Sequence, residues 1–136
     1  MARGGFMLDT NTVSALVRRP DWRLDERFRQ VPPGHLCVSA VTEGELRFGL
    51  ARRPEATTLA RTVNAFLERV EVRPFDSAAA ARYGVVRALL EKYGTPLADL
   101  DTLIASHALT EQAVLVTSDR AFARVPGLTV EDWQTA

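Results

Sequence analysis

The chain has 136 residues, 46% of them hydrophobic and 25% charged, which is the profile of one globular domain and excludes disordered and fibrous classes. Its 17 basic and 17 acidic side chains cancel, so bulk charge alone would not hold a polyanion, although a sum hides where the charges lie. The single cysteine, Cys37, excludes an internal disulfide, and with only His35 and His107 to help it a zinc-finger fold is excluded as well.

An apolar run at Phe6–Leu8 predicts a first buried strand, which ends on Asp9. A short helix is predicted over Thr12–Arg18, ahead of Pro20, and a second over Trp22–Gln30, stopped by Pro32, Pro33 and Gly34. Leu36–Val38 predicts the second strand, with Cys37 inside it as a small core residue. Helices follow over Val41–Arg52, ahead of Pro54, and over Thr57–Glu68, where Leu59, Val63, Phe66 and Leu67 share a face. Val70–Arg73 predicts the third strand. Ser77–Tyr93 reads as a helix with Asp76 at its N-cap and Gly94 at its end. A last helix over Leu100–Glu111 precedes strands over Val114–Thr117 and Leu128–Val130. Strands alternating with helices predict a single α/β domain over residues 1–136, with roughly five parallel strands flanked by helices on both faces. Asp9 interrupts the start too early for a signal peptide, and no run reaches the ~18 apolar residues of a membrane span. A cytoplasmic protein with no membrane contact is expected.

In an open parallel sheet, ligands bind beyond the carboxyl ends of the strands, near the switch in strand order. Asp9 and Asp119 both stand at predicted strand exits, where an aspartate is also a common N-cap. Glu45 shares a helix side with Val41, Phe48 and Gly49, so it needs a partner, either a metal ion or an arginine. Glu43 points the other way, at the favourable i,i+4 spacing from Arg47. Asp101 lies on the stripe of Ile104, Ala105 and Ala108, whereas Asp99 precedes or opens the helix and reads as a cap. His107, on a different side from Asp101, reads as a surface or interface residue. Four converging carboxylates could not all stay ionised without positive charge between them. Oxygen donors suit Mg²⁺ or Mn²⁺, and the chemistry such ions support is hydrolysis by activated water.

Phe6–Asn11, Val41–Gly49, Asp101–Leu109 and Leu115–Leu128, with Trp133 beyond them, resemble in order the motifs of PIN-domain nucleases, and more closely the VapC-type toxins of bacterial toxin–antitoxin pairs. The resemblance spans almost the whole chain. It implies a Mg²⁺- or Mn²⁺-dependent endoribonuclease, a homodimer, and a VapB-like antitoxin whose tail blocks the acidic groove. Carried over by position, Asp9, Glu45, Asp101 and Asp119 form the acidic set, with Asp9 and Asp101 the core metal ligands. Glu45 and Asp119 contribute directly or through water, and Thr10, Asn11 and Thr117 support them. Arg18, Arg47 and Arg120 are expected to touch RNA. Two alternatives stand beside this reading. A catalytically silent domain of the same fold would need one acid missing or misplaced. A haloacid-dehalogenase-like phosphatase would want an acid where Asn11 stands, and a suitably placed lysine where the chain has only Lys92.

Overall fold

The computed structural model describes residues 4–18 and 22–134. In chain order these form β1 (Phe6–Leu8), α1 (Thr10–Arg18), α2 (Trp22–Gln30), β2 (Leu36–Ser39), α3 (Ala40–Ala51), α4 (Thr57–Arg69), β3 (Glu71–Arg73), α5 (Ser77–Lys92), α6 (Asp99–Glu111), β4 (Val114–Val116) and β5 (Val130–Glu131). Short 3₁₀ turns lie at Pro33–His35 and Arg120–Arg124. The five strands pair in parallel in the order β3-β2-β1-β4-β5, as the α/β alternation predicts.

Strand side chains alternate between faces, and the two faces bury different cores. Leu8, Leu36, Val38 and Val116 pack with Val13, Leu24, Phe28, Leu46, Val63 and Phe66, so α1, α2, α3 and α4 serve one side. Met7, Cys37 and Leu115 pack with Val86, Leu90, Ile104, Ala105 and Ala108 from α5 and α6 on the other. Trp133 closes the first core against Phe6, their ring centroids 5.3 Å apart.

The differences from the sequence expectation are local. Helix α1 begins at Thr10 rather than Thr12, because Asp9 itself caps it. Strand β5 begins two residues later and ends one residue later than predicted, because its register is set by pairing Leu115 with Val130 and Val116 with Glu131. The expected N-cap at Asp76 is present, its carboxylate accepting from the Ala79 N–H at 3.0 Å. The stretch around Pro20, expected to follow the first helix, falls outside the described residues. Among the described residues no helix is long and apolar enough to cross a membrane.

Candidate active site

The strand order places the switch point between β1 and β4: the chain winds from β1 outward to β3, then returns to the other side of β1 with β4. Leu8 pairs with Val116, so Asp9 and Thr117 leave adjacent strands side by side. The Asp9 N–H donates to the Val116 carbonyl at 3.1 Å, fixing the chain at its exit. Its Oδ1 then accepts from the Thr12 N–H at 2.8 Å, and the Thr12 hydroxyl donates to Val116 O at 3.1 Å. Asp9 is 3% exposed and Thr117 is 2% exposed. Thr117 works in two directions: its hydroxyl bonds to the Asp9 carboxylate and accepts from the Asp119 N–H at 3.0 Å. One buried hydroxyl thus couples the two strand-exit acids.

Glu45 is half-buried on α3, and a hydroxyl from another helix meets it. The Thr10 hydroxyl donates to its Oε1 at 2.5 Å, joining the first turn of α1 to the middle of α3. The Thr42 hydroxyl lies 3.4 Å from that of Thr10. Asp101 sits half-buried in the first turn of α6, on the inward stripe with Ile104, Ala105 and Ala108, which are fully buried.

Electrostatics couple Asp101 to the other three acids. Burial pushes the Asp101 carboxyl above its ordinary range, and the negative charges of Asp119, Asp9 and Glu45 push it further. Burial also raises Asp9, against hydrogen bonds from Thr117 and Thr12 that favour its charged form; Asp119 adds a smaller upward push. Among the described residues no three His, Cys, Asp or Glu side chains converge as a ready-made metal cluster. Mg²⁺ is ordinarily bound through one or two carboxylates, with water and phosphate oxygens completing its shell. An all-oxygen donor set whose members repel one another at the carboxyl edge of the sheet fits a hard divalent cation.

The other expected residues divide. Asn11 is exposed in the first turn of α1, and Asp119 is exposed, accepting from the Ala121 N–H at 2.9 Å as the cap of the second 3₁₀ turn. Arg18 borders the same groove as Glu45, while Arg120 is exposed next to Asp119. Arg47 grips Glu43 through two bonds of 3.0 and 2.8 Å, the solvated helix pair that the spacing predicts.

Three expectations need correction. Asp99 does not cap α6; Ala98 holds that position, and the exposed Asp99 carboxylate lies 3.8 Å from Arg87 instead. His107 is not at the surface: it is 1% exposed, because α6 turns its imidazole onto Ser39, with Nδ1 2.8 Å from the hydroxyl. Phe48 does not bury Glu45; it is 63% exposed beside a largely apolar groove of about 640 Å³. Thr10, Val17, Glu45, Leu59, Val63 and Leu103 are among the residues that line that groove, and no motif announced it because its walls come from four separate helices.

The fold and the acidic edge define a class: residues 6–128 match the PIN domain family model. The chain is 36% identical over 129 residues to the tRNA(fMet)-specific endonuclease VapC of Salmonella typhimurium, spanning 94% of this chain and 97% of that protein. It is 33% identical over 129 residues to Ribonuclease VapC2 of Haemophilus influenzae, with the same coverage of 94% and 97%. The chain therefore belongs to the PIN-domain family and, within it, to the VapC nucleases. Among solved structures it is similar to the DNA-bound VapBC of Salmonella typhimurium, with a TM-score of 0.90 at 36% identity over 96% of this chain and 98% of that one. VapBC2 of Rickettsia felis, bound to a fragment of its promoter DNA, gives 0.88 at 28% identity over 94% and 98%.

Proposed function

We propose that the chain is the toxin of a toxin–antitoxin pair, a Mg²⁺- or Mn²⁺-dependent endoribonuclease that hydrolyses phosphodiester bonds to a 5′-phosphate and a 3′-hydroxyl. The observation that carries this reading is the buried Asp9 at the switch point of the sheet, linked through the Thr117 hydroxyl to Asp119, in a chain 36% identical to a VapC endonuclease. Asp9 and Asp101 would hold the cation, with Glu45 and Asp119 reaching it directly or through water. When bound, the cation would neutralise the acids, lower the pKa of a bound water and offset charge on the phosphate. Hydrogen bonds from Thr12 and Thr117 hold the Asp9 carboxylate in place and favour its charged form against the effect of burial. Thr10 fixes Oε1 of Glu45, leaving the second oxygen to orient the attacking water or take its proton. Arg18, Arg47 and Arg120 would meet RNA phosphates, for which the arginine fork is suited.

The partner in this reading is a VapB-like antitoxin. An open, largely apolar groove lined in part by Glu45 supports a tail that lies along it and reaches the acidic site. A homodimer and a cytoplasmic location complete the proposal. Purified chain incubated with structured RNAs should cleave them with Mg²⁺ or Mn²⁺, and should fail with EDTA or as Asp9→Asn. Cleavage that persists in EDTA would sink the metal mechanism. Induced expression should arrest growth, with rescue by the antitoxin; indifferent growth would favour a silent domain.

A further inference from the structure

The helices that carry Glu45 and Asp101 are anchored largely in different cores: Leu46 of α3 packs on one side of the sheet, and Ile104, Ala105 and Ala108 of α6 pack on the other, where Val41 at the start of α3 reaches them. A buried polar contact joins them. His107 lies six residues after Asp101 on α6, and its Nδ1 is 2.8 Å from the hydroxyl of Ser39, six residues before Glu45. Ser39 is the N-cap of α3, its Oγ accepting from the Val41 N–H at 3.0 Å. Ser39 is 0% exposed and His107 is 1% exposed, so water does not compete for this contact. Phe75, between β3 and α5, meets the imidazole edge-on with centroids 5.3 Å apart and an interplanar angle of 77°, which fixes the ring plane.

We propose that His107 is a positioning residue: through Ser39 it sets α3 against α6 and so holds Glu45 at its working distance from Asp101. This rests on the metal-nuclease reading above. The hydroxyl can accept the helix N–H and still either donate to Nδ1 or accept from it, so the clamp holds in either neutral tautomer of the ring. A side chain lacking a polar atom at that point removes the hydrogen bond between α6 and the start of α3. A shift of about 1 Å between catalytic groups costs on the order of a hundredfold in rate. Loss of an outer partner that orients metal-binding groups typically weakens metal affinity 10- to 100-fold.

The test uses the full chain and reads two quantities, Mn²⁺ affinity by calorimetry and the split of kcat against KM on a cleaved RNA. His107→Leu should weaken Mn²⁺ binding about tenfold and lower kcat by roughly a hundredfold with little change in KM. His107→Asn, whose amide can stand where Nδ1 stands, should recover most of both. Ser39→Ala should match His107→Leu, and the double variant should lose no more than either; this smaller change carries the test if His107→Leu fails to fold. Leu90→Ala, a truncation in the α5 core with a comparable loss of thermal stability, should leave Mn²⁺ affinity in place. Wild-type affinity and kcat in His107→Leu or in Ser39→Ala would overturn the inference while leaving the nuclease reading intact. A wild-type chain that neither binds Mn²⁺ nor cleaves RNA would overturn both.

Discussion

Replacing Asp101 with Asn should make the metal-free protein more stable and the metal-loaded protein less so. Asp101 is half-buried, and its ionised form faces the charges of Asp119, Asp9 and Glu45. Solvent and salt at a half-exposed site hold the summed cost of such like-charge repulsion to about 1–2 kcal/mol. The favourable field at the N-terminus of α6 returns about 0.5 kcal/mol. Asp101→Asn should therefore stabilise the metal-free fold by about 1 kcal/mol at neutral pH, or roughly 3–5 °C in Tm. The sign follows from linkage. Because the folded carboxyl sits above its ordinary value of 3.8, the unfolded chain loses its proton first as pH rises. Asp101 therefore favours the fold below the unfolded value, and that contribution is lost as pH rises through the raised folded one. The advantage of Asn should accordingly vanish in acid. Adding Mn²⁺ should raise the Tm of the wild type by mass action and leave the variant nearly unmoved, reversing their order. Melts with EDTA and with Mn²⁺ at two pH values check this. A variant less stable than wild type in EDTA, or stabilised equally by Mn²⁺, would refute the reasoning.

Three further outcomes follow from single contacts. Thr10→Val removes the hydroxyl that holds Glu45 and should lower kcat roughly tenfold, about 1.4 kcal/mol of barrier, while changing stability by no more than ~1 kcal/mol; steady-state kinetics and melts read the two. Thr117→Val keeps the shape of a buried residue but strips a donor from Asp9. It should cost about 1.5–3 kcal/mol in denaturant unfolding at neutral pH. It should also move the acidic limb of the pH–rate profile upward, because the Asp9 carboxyl rises further. Arg47→Ala breaks only an exposed i,i+4 pair with Glu43, so stability should fall by less than ~0.5 kcal/mol, whereas a phosphate contact would show as a shallower salt dependence of RNA binding, by about one unit.

What the sequence made legible depended on how local each cause was. Asp9 and Asp119 stood out because short apolar runs alternating with helices imply a parallel sheet, and such a sheet has its site at strand exits. Both proved to be caps, Asp9 for α1 and Asp119 for the second 3₁₀ turn, and the metal role is proposed for the same two side chains. Asp101 was legible from a helical stripe, and the Glu43–Arg47 pair from its spacing. The partner of Glu45 was not, because Thr10 lies 35 residues away and meets it only once α1 and α3 pack. His107 was misplaced for the same reason: a polar residue on a helix reads as exposed until a hydroxyl 68 residues away accounts for its burial. Phe48 misled in the opposite sense, since an apolar residue beside an acid implies a buried face, while here it stands exposed beside an open groove. Strand β5 slipped because two residues carry little periodicity and their position is dictated by β4.

The central claim is that Asp9, Glu45, Asp101 and Asp119 share one divalent cation site that cuts RNA. Its most direct measurement is a Mn²⁺ titration of the wild type and of the Asp9→Asn and Asp101→Asn variants, followed in the same samples by cleavage of a structured RNA. Saturable Mn²⁺ binding that tracks cleavage in the wild type, with both lost in the two folded variants, is the predicted result. Cleavage by Asp101→Asn at the wild-type rate, or by the wild type in EDTA, would contradict it.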